Sequence, residues 1–210
     1  MFADREDAGR RLAERLAGDE LPDGLVLGIP RGGVVVAAVI ARELGLPLDI
    51  IVPRKIGAPA NPELAIGAVT QDGTVILNTS LVRSMGLNEE ELERQVESEI
   101  REIERRMTLY RGSRIPPDCA GRTVVLVDDG IATGYTVLAA LRSLRRAKPR
   151  EILLAVPVAP SETLNRLSPE VDRIICLYSP HDFYAVGQFY LDFRQNNDQE
   201  VIDLLRSANA

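Results

Sequence analysis

Five short runs of Val, Ile and Leu, each bounded by glycine, proline or charge, set the tightest limit on what this chain can fold into. They are LVLGI (25–29), LDIIVP (48–53), VVLVD (124–128), ILLAVPV (152–158) and RIICLY (173–178). Apolar runs of this length without alternation read as strands buried on both faces. Helical patterns lie between them: VVVAAVIARELG (34–45), which Gly45 stops, and TVLAALRSLRRA (136–147). Strands alternating with helices imply an α/β fold, an open, mostly parallel, twisted sheet flanked by helices. AIGAVTQDGTVILN (65–78) departs from the pattern. Asp72-Gly73 between two β-like runs predicts a tight hairpin at the sheet edge.

Residues 88–111 predict a long helix. Leu92, Val96, Ile100, Ile103, Met107 and Tyr110 form one apolar stripe, and Asn88 with Glu91 suits a capping box. Such a helix packs on its own domain; a dimer contact or support for a lid are the alternatives. DQEVIDLLRSA (198–208) reads as a closing amphipathic helix.

Scarcity excludes several functions. The net charge of -6 argues against a general nucleic-acid binder. The longest apolar run, Val34 to Ala41, is too short to span a bilayer, and the start MFADREDAGR is too polar for a secretory signal. Cys119 and Cys176 are isolated, so a reducing, cytoplasmic home is expected. His181 is the single histidine, which excludes multi-His metal sites; one histidine is more often structural than an acid–base group. Only Lys55 and Lys148 are lysines, and neither sits in the Gly-Lys-Ser/Thr context of a nucleotide P-loop.

That leaves Asp128 and Asp129, side by side at the end of an apolar strand. Neighbouring strand residues face opposite sides, and an unpaired buried carboxylate costs several kcal/mol, roughly. The pair therefore belongs at the carboxyl edge of the sheet, where open α/β folds bind ligands. Gly130, Ile131, Ala132, Thr133 and Gly134 then turn into a helix near Tyr135 and Thr136. Glycines and a helix N-terminus favour an anion, while two acids favour hydroxyls or a metal. A sugar phosphate satisfies both.

VVLVDDGIATGYT resembles the signature of the type I phosphoribosyltransferases, which bind 5-phosphoribosyl 1-pyrophosphate (PRPP). The resemblance implies that Asp128 and Asp129 hold the ribose hydroxyls and that Gly130 to Thr136 cradle the 5′-phosphate. It extends to GIPRGGVVVAA from Gly28, where Arg31 and Gly32 match the pyrophosphate-binding loop, and to VPRKIGAPANPE from Val52. There Lys55 matches a basic residue that meets pyrophosphate, and the run up to Glu63 matches a mobile loop over the reacting centre. Glu63 reads as a surface acid rather than a ligand. The resemblance fits poorly at 80–118, a helical insertion in a single domain of 1–210.

Six of the nine aromatic residues fall between Tyr178 and Phe193. Residues 178–210 correspond to the family's hood over the acceptor. Phe183 or Tyr184 would stack a planar acceptor, worth about 1–3 kcal/mol, against the alternative of a satellite core. The activity implied is Mg²⁺-dependent transfer of phosphoribosyl to a nitrogenous acceptor with release of pyrophosphate, a glycosyltransferase step of nucleotide metabolism. Arg31 and Lys55 would serve the leaving group. Magnesium would arrive through PRPP, with Asp128 or Asp129 as the protein oxygens nearest to it. Relatives acting on 6-oxopurines carry an acid where this chain has Ala132, which disfavours those acceptors. A non-catalytic PRPP- or nucleotide-binding regulator on the same fold is the rival. A sugar-phosphate hydrolase would need a general base or second metal cluster that the sequence lacks. A homodimer is suggested by the family alone.

Overall fold

A computed structural model describes residues 1–59, 61–113 and 115–208, apart from the side chains of residues 62 and 63. In chain order the elements are α1 (Arg5–Leu16), β1 (Leu25–Gly28), α2 (Gly32–Leu44), β2 (Leu48–Ile50), β3 (Arg54–Ala58), β4 (Asn61–Val69), β5 (Val75–Leu77), α3 (Thr79–Ser84) and α4 (Glu89–Arg111). Then follow β6 (Thr123–Val127), α5 (Tyr135–Arg146), β7 (Glu151–Val158), α6 (Ser161–Leu167), β8 (Arg173–Tyr178) and α7 (Asp198–Ala208).

The five apolar runs supply five parallel strands in the order β2-β1-β6-β7-β8. Leu25 to Gly28 lie opposite Val124 to Val127, so β1 and β6 end level with each other. The strand order reverses between them: β1 leads outward to β2, β6 leads the other way to β7. Open α/β sheets bind ligands at such a switch point, outside the carboxyl ends of the strands. Two apolar cores cover the sheet. One holds Leu12, Val36, Ile40, Ile103 and Met107 from α1, α2 and α4; the other holds Val137, Leu141 and Leu144 from α5.

The expected α2 and α5 start one to two residues earlier than their patterns, and Gly45 ends α2 in a left-handed conformation (φ 65°). Helix α4 carries the expected box: the Asn88 side chain accepts from the Glu91 amide, and the Glu91 carboxylate accepts from the Asn88 amide. Ile103, Met107 and Tyr110 are buried, and Leu92, Val96 and Ile100 are half-buried against the same core. The helix thus packs on its own domain.

Three features differ from expectation. The Asp72-Gly73 hairpin forms, with Thr70, Thr74 and the Asp72 carboxylate closing the turn, but it is not at the edge of the main sheet. It belongs to a second sheet, antiparallel β3-β4-β5. The Gly/Ala/Pro/Asn run from Lys55 is also no bare loop. Ile56 and Ala58 alternate inward beside Ile66 in the α4-facing core, and that burial overrides the weak strand propensity of their neighbours. Finally, α1 occupies a stretch for which the sequence suggested no element. Asp4 caps it by accepting from the Asp7 amide (2.8 Å), and Ala8, Leu12, Ala13 and Leu16 are buried.

Residues 178–193 close back on the amino terminus. Phe2, Ala8, Val158, Phe189 and Tyr190 form a satellite core. The Phe2 amide donates to the Phe189 carbonyl (2.8 Å), and the amides of Leu191 and Asp192 donate to the carbonyls of Phe2 and Ala3 (both 2.9 Å).

Candidate active site

Strand β6 ends at Val127, which places Asp128 and Asp129 just beyond it at the carboxyl edge. Both are half-buried. The Asp128 carboxylate accepts from the Asp129 amide (2.9 Å). Asp129 extends to the start of α2, so closely that a Cβ on Gly32 would lie 1.9 Å from its Oδ2. Only glycine permits that approach. The loop after β1 and the loop after β6 therefore meet at the switch point.

Arg5 completes this cluster from α1. Its Nε donates to Asp129 Oδ2 (2.7 Å), an Nη donates to the Arg194 carbonyl (2.8 Å), and its guanidinium lies 4.0 Å over the Phe193 ring. The Tyr190 hydroxyl donates to the Asp129 carbonyl (2.6 Å). Burial raises the Asp128 carboxyl well above the ordinary carboxylate range, and the neighbouring Asp129 charge adds to the rise. At Asp129 burial again raises the pKa, and the Arg5 guanidinium works against it. Burial likewise raises the Tyr190 phenol.

The turn that follows is built to present amides. The Ile131 side chain enters the α5 core and its amide donates to the Val158 carbonyl (2.9 Å), which anchors the turn to β7. The Thr163 hydroxyl donates to the Ala132 carbonyl (2.7 Å), and Arg166 donates to the Thr133 carbonyl. In a trans peptide the N–H points opposite to the C=O. Pulling these two carbonyls toward α6 therefore turns the Thr133 and Gly134 amides away from it. Gly134 enters α5 at φ 71° with no side-chain cap. Among the described residues the amides of Thr133, Gly134, Tyr135 and Thr136 have no hydrogen-bond partner. They form a helix N-terminus without acidic residues in its first turn, a site suited to an anion.

The other expected residues are distributed more widely. Arg31 precedes α2 after a cis Pro30–Arg31 peptide, and its guanidinium lies 3.6 Å from the Asp198 carboxylate at the start of α7. The Tyr110 hydroxyl donates to the same carboxylate (2.5 Å); burial, then this bond, pushes the phenol up to about 12. Lys55 lies on β3 opposite Ala68 and lines a cleft of ≈ 440 Å³ with Arg54, Gln95, Ser98 and Glu99. No residue of the 128–136 turn lines that cleft. Phe183 stacks on Phe189 (5.4 Å) within the satellite cluster, Tyr184 is 88% exposed, and His181 is exposed. The Glu63 side chain lies outside the described residues. Sequence reasoning missed Arg5, Tyr190 and Asp198. Nothing local marks Arg5 among the many arginines, because its partner is 124 residues away.

Comparison with known proteins agrees with the fold. Residues 3–194 match the family model of the phosphoribosyl transferase domain. The chain belongs to that family. It is 42% identical over 209 residues to Rv0571c of Mycobacterium tuberculosis, whose name places it provisionally among the phosphoribosyl transferases. The match takes in 100% of this chain and 47% of the relative, so the chain spans about half the length of the curated relatives it matches. The crystal structure of TT1426 from Thermus thermophilus superimposes with a TM-score of 0.82 at 43% identity, covering 98% of each chain. A shorter segment, 51 residues or 24% of the chain, is 49% identical to the bifunctional protein PyrR of Brevibacillus brevis, covering 28% of that protein. Among the described residues no helix is long and apolar enough to cross a membrane.

Proposed function

We propose that the chain transfers the 5-phosphoribosyl group of PRPP to a nitrogen of a small acceptor and releases pyrophosphate. One observation carries the reading: a set of amides without partners among the described residues begins four residues after two adjacent carboxylates, at the point where the strand order reverses. The amides of 133–136 and the Thr133 and Thr136 hydroxyls bind the 5′-phosphate. Asp128 and Asp129 accept from the ribose 2′- and 3′-hydroxyls, which fixes C1 as it becomes cation-like. The amides at the start of α2 and the Arg31 guanidinium receive the departing pyrophosphate. To do so Arg31 leaves Asp198. Both side chains are more than a third exposed, and such pairs contribute only about 0–1 kcal/mol. Lys55 reaches the leaving group if the β3–β4 hairpin moves toward the sheet edge.

The residues fit a magnesium ion that arrives on its own phosphates. The Arg5 guanidinium pairs with Asp129, so two neighbouring carboxyls stand against one guanidinium at the strand end. Among the described residues no cluster of three or more His, Cys, Asp or Glu converges to hold an ion without such a ligand. Asp128 or Asp129 would supply a protein oxygen, and the bound ion would neutralise charge on the diphosphate.

The test is a screen of free bases and amines for pyrophosphate release from PRPP with Mg²⁺. Turnover with one acceptor, lost in the double variant Asp128→Asn/Asp129→Asn, supports the reading. A second reading, a PRPP- or nucleotide-binding regulator, draws on the Arg31–Asp198 pair and on the position of Lys55 in a different cleft. It gains if PRPP binds and no acceptor turns over.

A further inference from the structure

Arg5 is buried, with a side chain 10% exposed, and every anchor of its guanidinium lies at the carboxylate pair or in the hood. Nε holds Asp129, while Arg194 and Phe193 hold the remaining face. The Gly32 geometry adds a constraint: a Cβ there would lie 2.5 Å from Arg5 Nε as well as 1.9 Å from Asp129 Oδ2. The ion pair thus fills the space between the two ligand-binding loops. An arginine that merely neutralised a buried acid would need neither the hood nor this seat.

We propose that Arg5 is a positioning residue for sugar recognition: it fixes the Asp129 carboxylate in the orientation that accepts from the pentose diol, and it does so only while residues 193–194 of the hood are seated. This inference rests on the phosphoribosyl reading of the site. A guanidinium fork engages a carboxylate and a second acceptor at once, whereas an ammonium is a single point of charge. Asp129 therefore loses its fixed orientation if either Arg5 or the hood contact is lost. Hydrogen bonds to the 5′-phosphate come from residues 133–136, further along the same loop, whereas Arg5 meets the loop at Asp129.

The experiment is calorimetry with two probes that share the phosphate and differ in the diol, ribose 5-phosphate and 2,3-dideoxyribose 5-phosphate. The proteins are the wild-type chain, Arg5→Met, Arg5→Lys, Asp129→Asn and the Arg5→Met/Asp129→Asn double variant. The wild-type chain should prefer the diol by about tenfold or more, and Asp129→Asn should cut that preference at least as far as Arg5→Met does. Arg5→Met should cut the preference about fivefold or more while leaving the dideoxy affinity within about twofold. Arg5→Lys should restore part of it, and the double variant should be no worse than Asp129→Asn, the mark of two residues acting as one. Equal weakening of both probes by Arg5→Met, or an unchanged preference, overturns the inference. If Arg5→Met fails to fold, Arg5→Lys decides: a reduced preference supports the inference and a wild-type preference overturns it. Failure of the wild-type chain to bind either probe, or a harmless Asp129→Asn, instead removes the reading of the pocket, and this inference falls with it.

Discussion

The turn after β6 and the turn after β1 share one plan, strand, glycine-containing loop and helix, yet they differ in how far they are prepared. After β6 the loop is tied from behind. Thr163 and Arg166 hold its carbonyls, Ile131 anchors it, and among the described residues the amides of 133–136 are left without partners. After β1 the Asp129 carboxylate lies against Gly32 at the start of α2, and the Arg31 guanidinium is paired with Asp198. On the proposed reading the phosphate side is thus built in advance, while the pyrophosphate side would exchange partners when a ligand enters. A fixed handle and an adjustable one suit a substrate of which one end stays and the other leaves.

The largest expected effect removes what the two turns hold between them. Asp128→Asn with Asp129→Asn should weaken PRPP binding by more than about a hundredfold, at roughly 1.5–3 kcal/mol for each hydrogen bond to a charged group, with the fold intact. Calorimetry with Mg²⁺ measures it, and unchanged affinity rejects the assignment. Next comes the tether. Thr163→Val keeps the methyl that packs against Gly134 but leaves the Ala132 carbonyl without its donor. Ribose 5-phosphate affinity should fall by up to about tenfold and pyrophosphate affinity much less, since an intramolecular hydrogen bond is worth about 0.5–1.5 kcal/mol. Equal losses would mean the two turns are not separately prepared.

A third test concerns the cost of preparation. The Asp128 pKa is higher folded than unfolded, so its charge opposes folding once pH rises past the unfolded value, and costs nothing where both states are protonated. Asp128→Asn should therefore raise Tm at pH 7, by about 2–4 °C for each kcal/mol of relief, and the gain should vanish toward pH 3. A gain that persists in acid would locate the effect elsewhere. The smallest effect is at the adjustable handle. Asp198→Asn frees Arg31 from an exposed pair and should tighten pyrophosphate binding no more than about fivefold, with ribose 5-phosphate unchanged.

What the sequence made legible follows the range of the interactions. The five strands were readable because a strand buried on both faces is an apolar run, and the long helix because its stripe and its capping box are local. The acid pair and its turn were readable for the same reason, all within fourteen consecutive residues. Strand β3 was hidden because Ile56 and Ala58 gain their strand character from a core supplied by α4, not from their glycine and proline neighbours. Arg5 and Asp198 were hidden because nothing nearby in the chain distinguishes them; their meaning comes from partners brought close only by the sheet. The structure also shows Lys55, singled out by its rarity, on β3 and facing α4 across a cleft of its own.

The backbone bonds from residues 2 and 3 to residues 189–192 act as a fastener between segments far apart in the polypeptide. A variant lacking residues 2–5 would keep every strand of both sheets, yet it would release this clasp and take Arg5 with it. Such a variant should therefore be judged by its sugar affinity rather than by its yield.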